Sequence, residues 1–166
     1  MDSLNYKDND SDYLYDPVRQ LKVKNSPEEK VRQHLILLLS NNLGYPLSFF
    51  SIEKQLSTLK NLPPSLSNQK IPLRRIDLLI SVPIRNNFET KMAPFLIAEC
   101  KQSLLNFQAE KQLLSYNFFI RAPFLLLTNG SEIKIGSFDK DKKTFIFKPG
   151  LPPHFNEVYS STIACT

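Results

Sequence analysis

Tryptophan is absent from this chain of 166 residues, and glycine (4), cysteine (2), methionine (2) and histidine (2) are scarce. Four glycines against twelve prolines exclude a flexible Gly-rich linker and point to stiff loops. Cys100 and Cys165 are too few for a disulfide framework and lack the spacing of a zinc site. Nothing in them marks an oxidising compartment, so the cytoplasm is the expected location. His34 and His154 stand far apart, with no metal-ligand spacing. No apolar run approaches the ~20 residues of a membrane span, so no membrane partner is expected. The opening Met1-Asp2-Ser3-Leu4-Asn5-Tyr6-Lys7-Asp8 is acidic and polar. It reads neither as a secretory signal nor as an Arg-rich transit peptide.

What is present is a globular composition, with 42% apolar, 11% aromatic and 22% charged residues. A chain of this length builds one domain with a sizeable core. The net charge of +5 is unevenly spread. Residues 1–16 carry five aspartates and one lysine, a net −4, so the rest of the chain carries +9. A basic body suits a polyanionic partner such as nucleic acid, although ordinary solubility explains such charge as well.

Residues 1–12 read as an acidic flexible tail, 13–148 as the folded domain, and 149–166 as a C-terminal tail. Tyr13 to Lys24 reads as an extended entry segment. Ser26-Pro27-Glu28-Glu29 reads as a helix start, with Ser26 as cap, Pro27 at the first helical position and Glu29 completing a capping box. Val31, Leu35, Leu38 and Leu39 then form an apolar face that stops at Asn41, Asn42 and Gly44. Strands are expected at 49–59, 76–82, 94–100 and 123–128, a loop at 62–72, a turn at 86–92 and a helix at 106–120. A terminal hairpin joins 133–138 to 144–147. Strand, helix and strand across 94–128 make a right-handed parallel crossover, while the other strands pair antiparallel. The expected class is α/β, a mixed central β-sheet flanked by helices.

The sharpest chemical feature is Glu99-Cys100-Lys101 at the end of an apolar strand. Alternation points Glu99 and Lys101 to one face and Cys100 to the other, so Cys100 reads as core and not as a catalytic thiol. Asp77 interrupts the apolar Ile76 to Ile80, and a buried carboxylate there needs a partner. That partner is either Arg74 or Arg75, or a cation shared with Glu99. Two carboxylates with a lysine nearby suit magnesium, which activates water and stabilises the leaving oxygen in phosphodiester cleavage. Lys101 would hold the attacking hydroxide or the charge developing on phosphorus. Gln112 and Tyr116, four apart, share one helix face. The aromatics Phe118, Phe119, Phe124, Phe145 and Phe147 read as core by pattern, not as a base-stacking platform.

Asp77 followed by Glu99-x-Lys101 resembles the PD-(D/E)-x-K nuclease signature, with Ile76 where the signature's proline would stand. An ordered series of segments extends the likeness. Tyr15-Asp16-Pro17-Val18-Arg19, Ser26-Pro27-Glu28-Glu29-Lys30-Val31-Arg32-Gln33 and Leu43-Gly44-Tyr45-Pro46 resemble the N-terminal nuclease domain of type I restriction enzyme R subunits. So do Ile52-Glu53, Arg75-Ile76-Asp77, Leu96-Ile97-Ala98-Glu99-Cys100-Lys101 and Thr128-Asn129-Gly130. The resemblance spans roughly 13–138 and implies a restriction-endonuclease-like core and magnesium-dependent DNA cleavage, with manganese as a substitute ion. It implies that Asp77 and Glu99 are metal ligands, that Lys101 is catalytic, and that Glu29, with Glu28 as its rival, is the further acidic residue near the metal. Gln112 and Tyr116 resemble a Gln-x-x-x-Tyr motif that positions a phosphate or the DNA backbone. Arg32 and Gln33 are weaker candidates for backbone contacts. No Walker motif is present, so the expectation is a standalone relative, or one acting with separately encoded protein partners. Two other readings remain beside the nuclease: a nucleic-acid-binding module without turnover, and an interaction protein whose charged site is vestigial.

Overall fold

The computed structural model describes residues 12–58, 74–85 and 89–158. The expected loop at 62–72, the 86–88 part of the expected turn, and residues 1–11 and 159–166 of the two expected tails lie outside the described residues. The chain opens with a hairpin, β1 (Tyr13–Asp16) and β2 (Leu21–Lys24). Helix α1 (Pro27–Leu37) follows. Ser26 accepts from the backbone N–H of Glu29, a cap worth about 1 kcal/mol. The Ser26 N–H turns back to the Lys24 carbonyl, so only half of the expected capping box forms. A π turn at Leu38–Asn42 and a left-handed Gly44 end the helix where the two asparagines and the glycine predict.

Among the described residues the central sheet has six strands in the order β3-β4-β5-β6-β7-β8. They are β3 (Phe50–Gln55), β4 (Arg75–Arg85), β5 (Thr90–Cys100), β6 (Phe124–Thr128), β7 (Ile133–Asp139) and β8 (Thr144–Pro149). Helix α2 (Phe107–Ile120) joins β5 to β6, the one parallel pair in a sheet otherwise antiparallel. The expected mixed sheet flanked by helices is therefore the fold. Strands β4 and β5 are longer than the apolar runs, because their ladder continues past the core to pair Arg85 with Thr90. The register shifts beside Pro94, which has no N–H to give the ladder.

Strand alternation divides the core between the two faces. Leu96, Ala98 and Cys100 join Leu35 and Ile36 of α1 and Leu39 of the π turn on one side. Ile97, Leu125 and Leu127 join Leu113, Tyr116 and Ile120 of α2 on the other. The segment after β8 departs from the expected tail. Val158 is buried, Phe155 packs on the α1-side core, and the Tyr45 hydroxyl donates to the Pro153 carbonyl. Phe118 also departs from its expected place in the core and is 55% exposed, because it falls on the outer face of α2. Among the described residues no helix is long and apolar enough to cross a membrane.

Candidate active site

The first hairpin, α1 and β3 bring together charged side chains that are distant in sequence. Asp16 is fully buried at the end of β1. It accepts from the Val18 and Arg19 N–H groups, from Arg19 Nε at 2.6 Å and from Gln33 Nε2 at 3.0 Å. Burial alone would raise its pKa, but the bonds from Arg19 and Gln33 outweigh that and hold it below the usual carboxylate value. The Arg19 guanidinium continues to Glu53 at 2.9 Å and Glu29 at 2.8 Å. Arg32, one turn along α1, donates to Glu29 and to Asp77 at 3.1 Å, and lies 3.7 Å from Glu53. Burial pulls the Arg32 pKa down, yet Asp77, Glu29 and Glu53 together keep it raised.

A local irregularity places Asp77. Its neighbours Ile76 and Leu78 lie on opposite faces of the sheet although two residues apart, so alternation slips at this position. Across the ladder, between the pairs Ile52 with Leu78 and Lys54 with Ile76, stands Glu53, whose φ of 49° is left-handed. This bulge-like break leaves Asp77 Oδ1 on Arg32 and Oδ2 accepting from the Cys100 N–H at 2.8 Å. The partner expected from Arg74 or Arg75 is thus supplied by α1.

Glu99 lies one residue beyond the pair of Leu78 with Ala98, beside Asp77 at the end of the β4–β5 ladder. As alternation requires, it faces α2 while Cys100 enters the opposite core. Glu99 Oε1 accepts from Lys101 Nζ at 2.6 Å and from Gln112 Nε2. Gln112 Nε2 also donates to the Tyr116 hydroxyl at 2.8 Å, and Gln112 Oε1 lies 3.4 Å from Lys101 Nζ. The Lys101 N–H donates to the Thr128 carbonyl at 2.9 Å, so the β6 end before the Asn129-Gly130 turn fixes the backbone of the site. Glu99 Oε2 is buried without a hydrogen-bond partner. Burial and the neighbouring Asp77 push its pKa up to about 7, although Lys101 pulls the other way. Burial lowers the Lys101 pKa, but Glu99 and Asp77 more than compensate and raise it, which keeps the ammonium charged.

The site residues expected from the sequence therefore fall into two groups. Asp77, Glu99, Lys101, Gln112 and Tyr116 converge. Glu29 is buried, with both oxygens taken by Arg19, Gln33 and Arg32. Arg32 and Gln33, expected to contact a nucleic-acid backbone, are 5% and 7% exposed. The two terminal nitrogens of Arg32 and the Gln33 amide nitrogen go to carboxylates, so burial takes them from that surface role. Asp16, Arg19 and Glu53 lie inside the segments that carry the resemblance but were assigned no role. The usable signal was Glu53 between apolar Phe50, Ile52 and Leu56, a carboxylate in a strand that otherwise feeds the core. Among the described residues, no group of three or more His, Cys, Asp or Glu side chains is placed to hold a metal ion.

The family described as type I restriction enzyme R protein N terminus matches residues 27–152. The chain belongs to this family. The match takes in α1, all six strands of the central sheet, α2, and every site residue expected from the sequence. No curated protein and no solved structure matches the chain.

Proposed function

We propose that the chain is a metal-dependent nuclease that hydrolyses DNA phosphodiester bonds. The observation that carries this reading is Glu99 Oε2, an ionisable oxygen buried without a partner beside a charged lysine. Such an atom is costly unless a cation meets it. Asp77 supplies the second carboxylate, and each of its oxygens has lone-pair capacity beyond the one bond it accepts. Charge balance agrees. Among the described residues, the ion pairs of Asp16, Glu29, Glu53, Asp77 and Glu99 are made with Arg19, Arg32 and Lys101, five carboxylates against three cations when all are ionised. Asp77 and Glu99 would hold magnesium or manganese, ions that take few protein carboxylates and keep several waters. A bound ion of this kind lowers the pKa of water and stabilises the leaving oxygen.

The remaining roles belong to the chain's own side chains. Glu99 and Gln112 hold the Lys101 ammonium from two sides. Its raised pKa suits it to stabilise charge on a phosphoryl oxygen, rather than to act as a base. Gln112, braced by Tyr116, orients Glu99. A second reading, a nucleic-acid-binding module without turnover, draws on one observation: both Asp77 oxygens already have protein partners.

The test is cleavage of supercoiled plasmid and linear single-stranded DNA in magnesium or manganese, with chelator as control. The expected outcome is metal-dependent cleavage that falls by about 10²–10³-fold in Lys101→Ala, the usual cost of one transition-state charge partner. Salt-sensitive binding without cleavage would favour the binding module.

A further inference from the structure

Beyond the carboxylates, the outer rim of α2 carries a second arrangement suited to nucleic acid. Phe107, the first residue of the helix, is 67% exposed. Lys111 Nζ, one turn on, lies 4.7 Å from the centre of its ring. Beside them runs an open groove of about 330 Å³ lined by Arg74, Gln108, Lys111, Gln112 and Ser115. Among the described residues the lining offers two cations, two amides and a hydroxyl, with no carboxylate. Gln112 is shared, because it lines the groove and also donates to Glu99. Through Gln112 the groove borders the Glu99–Lys101 site.

We infer that this groove is a binding subsite for an unpaired DNA strand, with Phe107 stacking a base and Arg74 and Lys111 meeting the phosphates. The inference deepens the nuclease reading and rests on it for the identity of the substrate. The occupant follows from the chemistry of the rim. Cations and amides without an acid match a phosphodiester backbone. An exposed ring beside a cation matches a base face, as in sites that bind single strands. Bases in a duplex are stacked and paired inside the helix, so the ring reaches a base only where the strand is unpaired.

The experiment is fluorescence anisotropy of a labelled oligodeoxynucleotide, single-stranded or annealed to its complement, in chelator. Without metal the measurement does not depend on turnover. Loss of cleavage with binding intact would overturn the nuclease reading alone, and the reverse would overturn this one alone. The single strand is expected to bind more tightly than its duplex. Phe107→Ala should weaken single-strand binding about tenfold, within the range for one stacked base. Lys111→Gln should weaken it and reduce the slope of log affinity against log salt by about 0.7. Phe118→Ala removes another exposed ring of the same helix, away from the groove, and should leave affinity unchanged. All three positions are exposed, and unchanged melting temperatures would exclude a folding defect. The inference is overturned if Phe107→Ala binds like wild type, if Phe118→Ala loses as much, if the duplex binds as tightly, or if no binding is detected.

Discussion

The carboxylates on the two sides of the sheet differ in one respect that separates their roles. On the α1 side, every oxygen of Asp16, Glu29 and Glu53 meets a donor or an arginine, while Asp77 stands between the two sides, one oxygen on Arg32 and the other on the Cys100 N–H. The atoms left over there are a donor, Arg32 Nε, and an amide oxygen, Gln33 Oε1. On the α2 side the atom left over is a carboxylate oxygen, Glu99 Oε2. Proton affinity follows the same division. Asp16 is held below its ordinary value, while Glu99 is pushed up to about 7. A buried carboxylate with all its partners braces the fold, whereas one that lacks a partner is poised for a ligand.

The largest effect is expected from breaking the closed side. Arg32→Ala removes the guanidinium from Glu29, Glu53 and Asp77 at once. Taking one partner from a buried ion pair costs about 3–5 kcal/mol, to be read by chemical denaturation. Lys101→Ala on the open side takes away a partly exposed side chain with a single ion pair and should cost much less stability.

The pH dependence of stability sharpens the contrast, because the two sides should respond in opposite directions. The folded state holds the Glu99 proton more tightly than the unfolded chain does, about 7 against an ordinary 4.5. In chelator, this group's contribution is most favourable below 4.5 and declines as pH rises to 7, by up to about 3 kcal/mol. Asp16 has the opposite sign. Its contribution is present above 3.8 and is lost as pH falls through its lowered folded value. Denaturation midpoints from pH 3 to 8 should show Glu99→Gln flattening the neutral limb and Asp16→Asn flattening the acid limb.

The smallest effect is expected at Tyr116. Tyr116→Phe removes the hydroxyl that Gln112 donates to, at a cost of about 1 kcal/mol in stability. Cleavage should fall by less than about tenfold, because the phenol acts on Glu99 only through Gln112.

The open side was the more legible in the sequence, for a physical reason. Glu99 and Lys101 share a face by strand alternation, and Gln112 and Tyr116 share one by helical spacing. Both rules act within a single element. The closed side depends on contacts between elements. Arg32 reaches Asp77 across 45 residues and Arg19 reaches Glu53 across 34, separations that local spacing does not encode. Glu29 was open to two readings, cap or metal neighbour, and its carboxylate is engaged by arginines that neither reading supplied. Phe118 shows the limit of composition, since an aromatic in an apolar helix can still face outward. The docking of Phe155 on Tyr45 and Phe49, and of the Tyr45 hydroxyl on the Pro153 carbonyl 108 residues away, likewise depends on contacts that local spacing does not encode.

The proposal is entry of a divalent cation between Glu99 and Asp77, and not among Asp16, Glu29 and Glu53, whose oxygens the arginines close off. Its most direct test is manganese titration followed by electron paramagnetic resonance of the free ion, on wild type, Glu99→Gln and Glu53→Gln. Glu53 faces Asp77 across the ladder and belongs to the closed side. Affinity is expected to fall more than about tenfold in Glu99→Gln and to stay at the wild-type level in Glu53→Gln. Wild-type affinity in Glu99→Gln, or its loss in Glu53→Gln, would contradict the account.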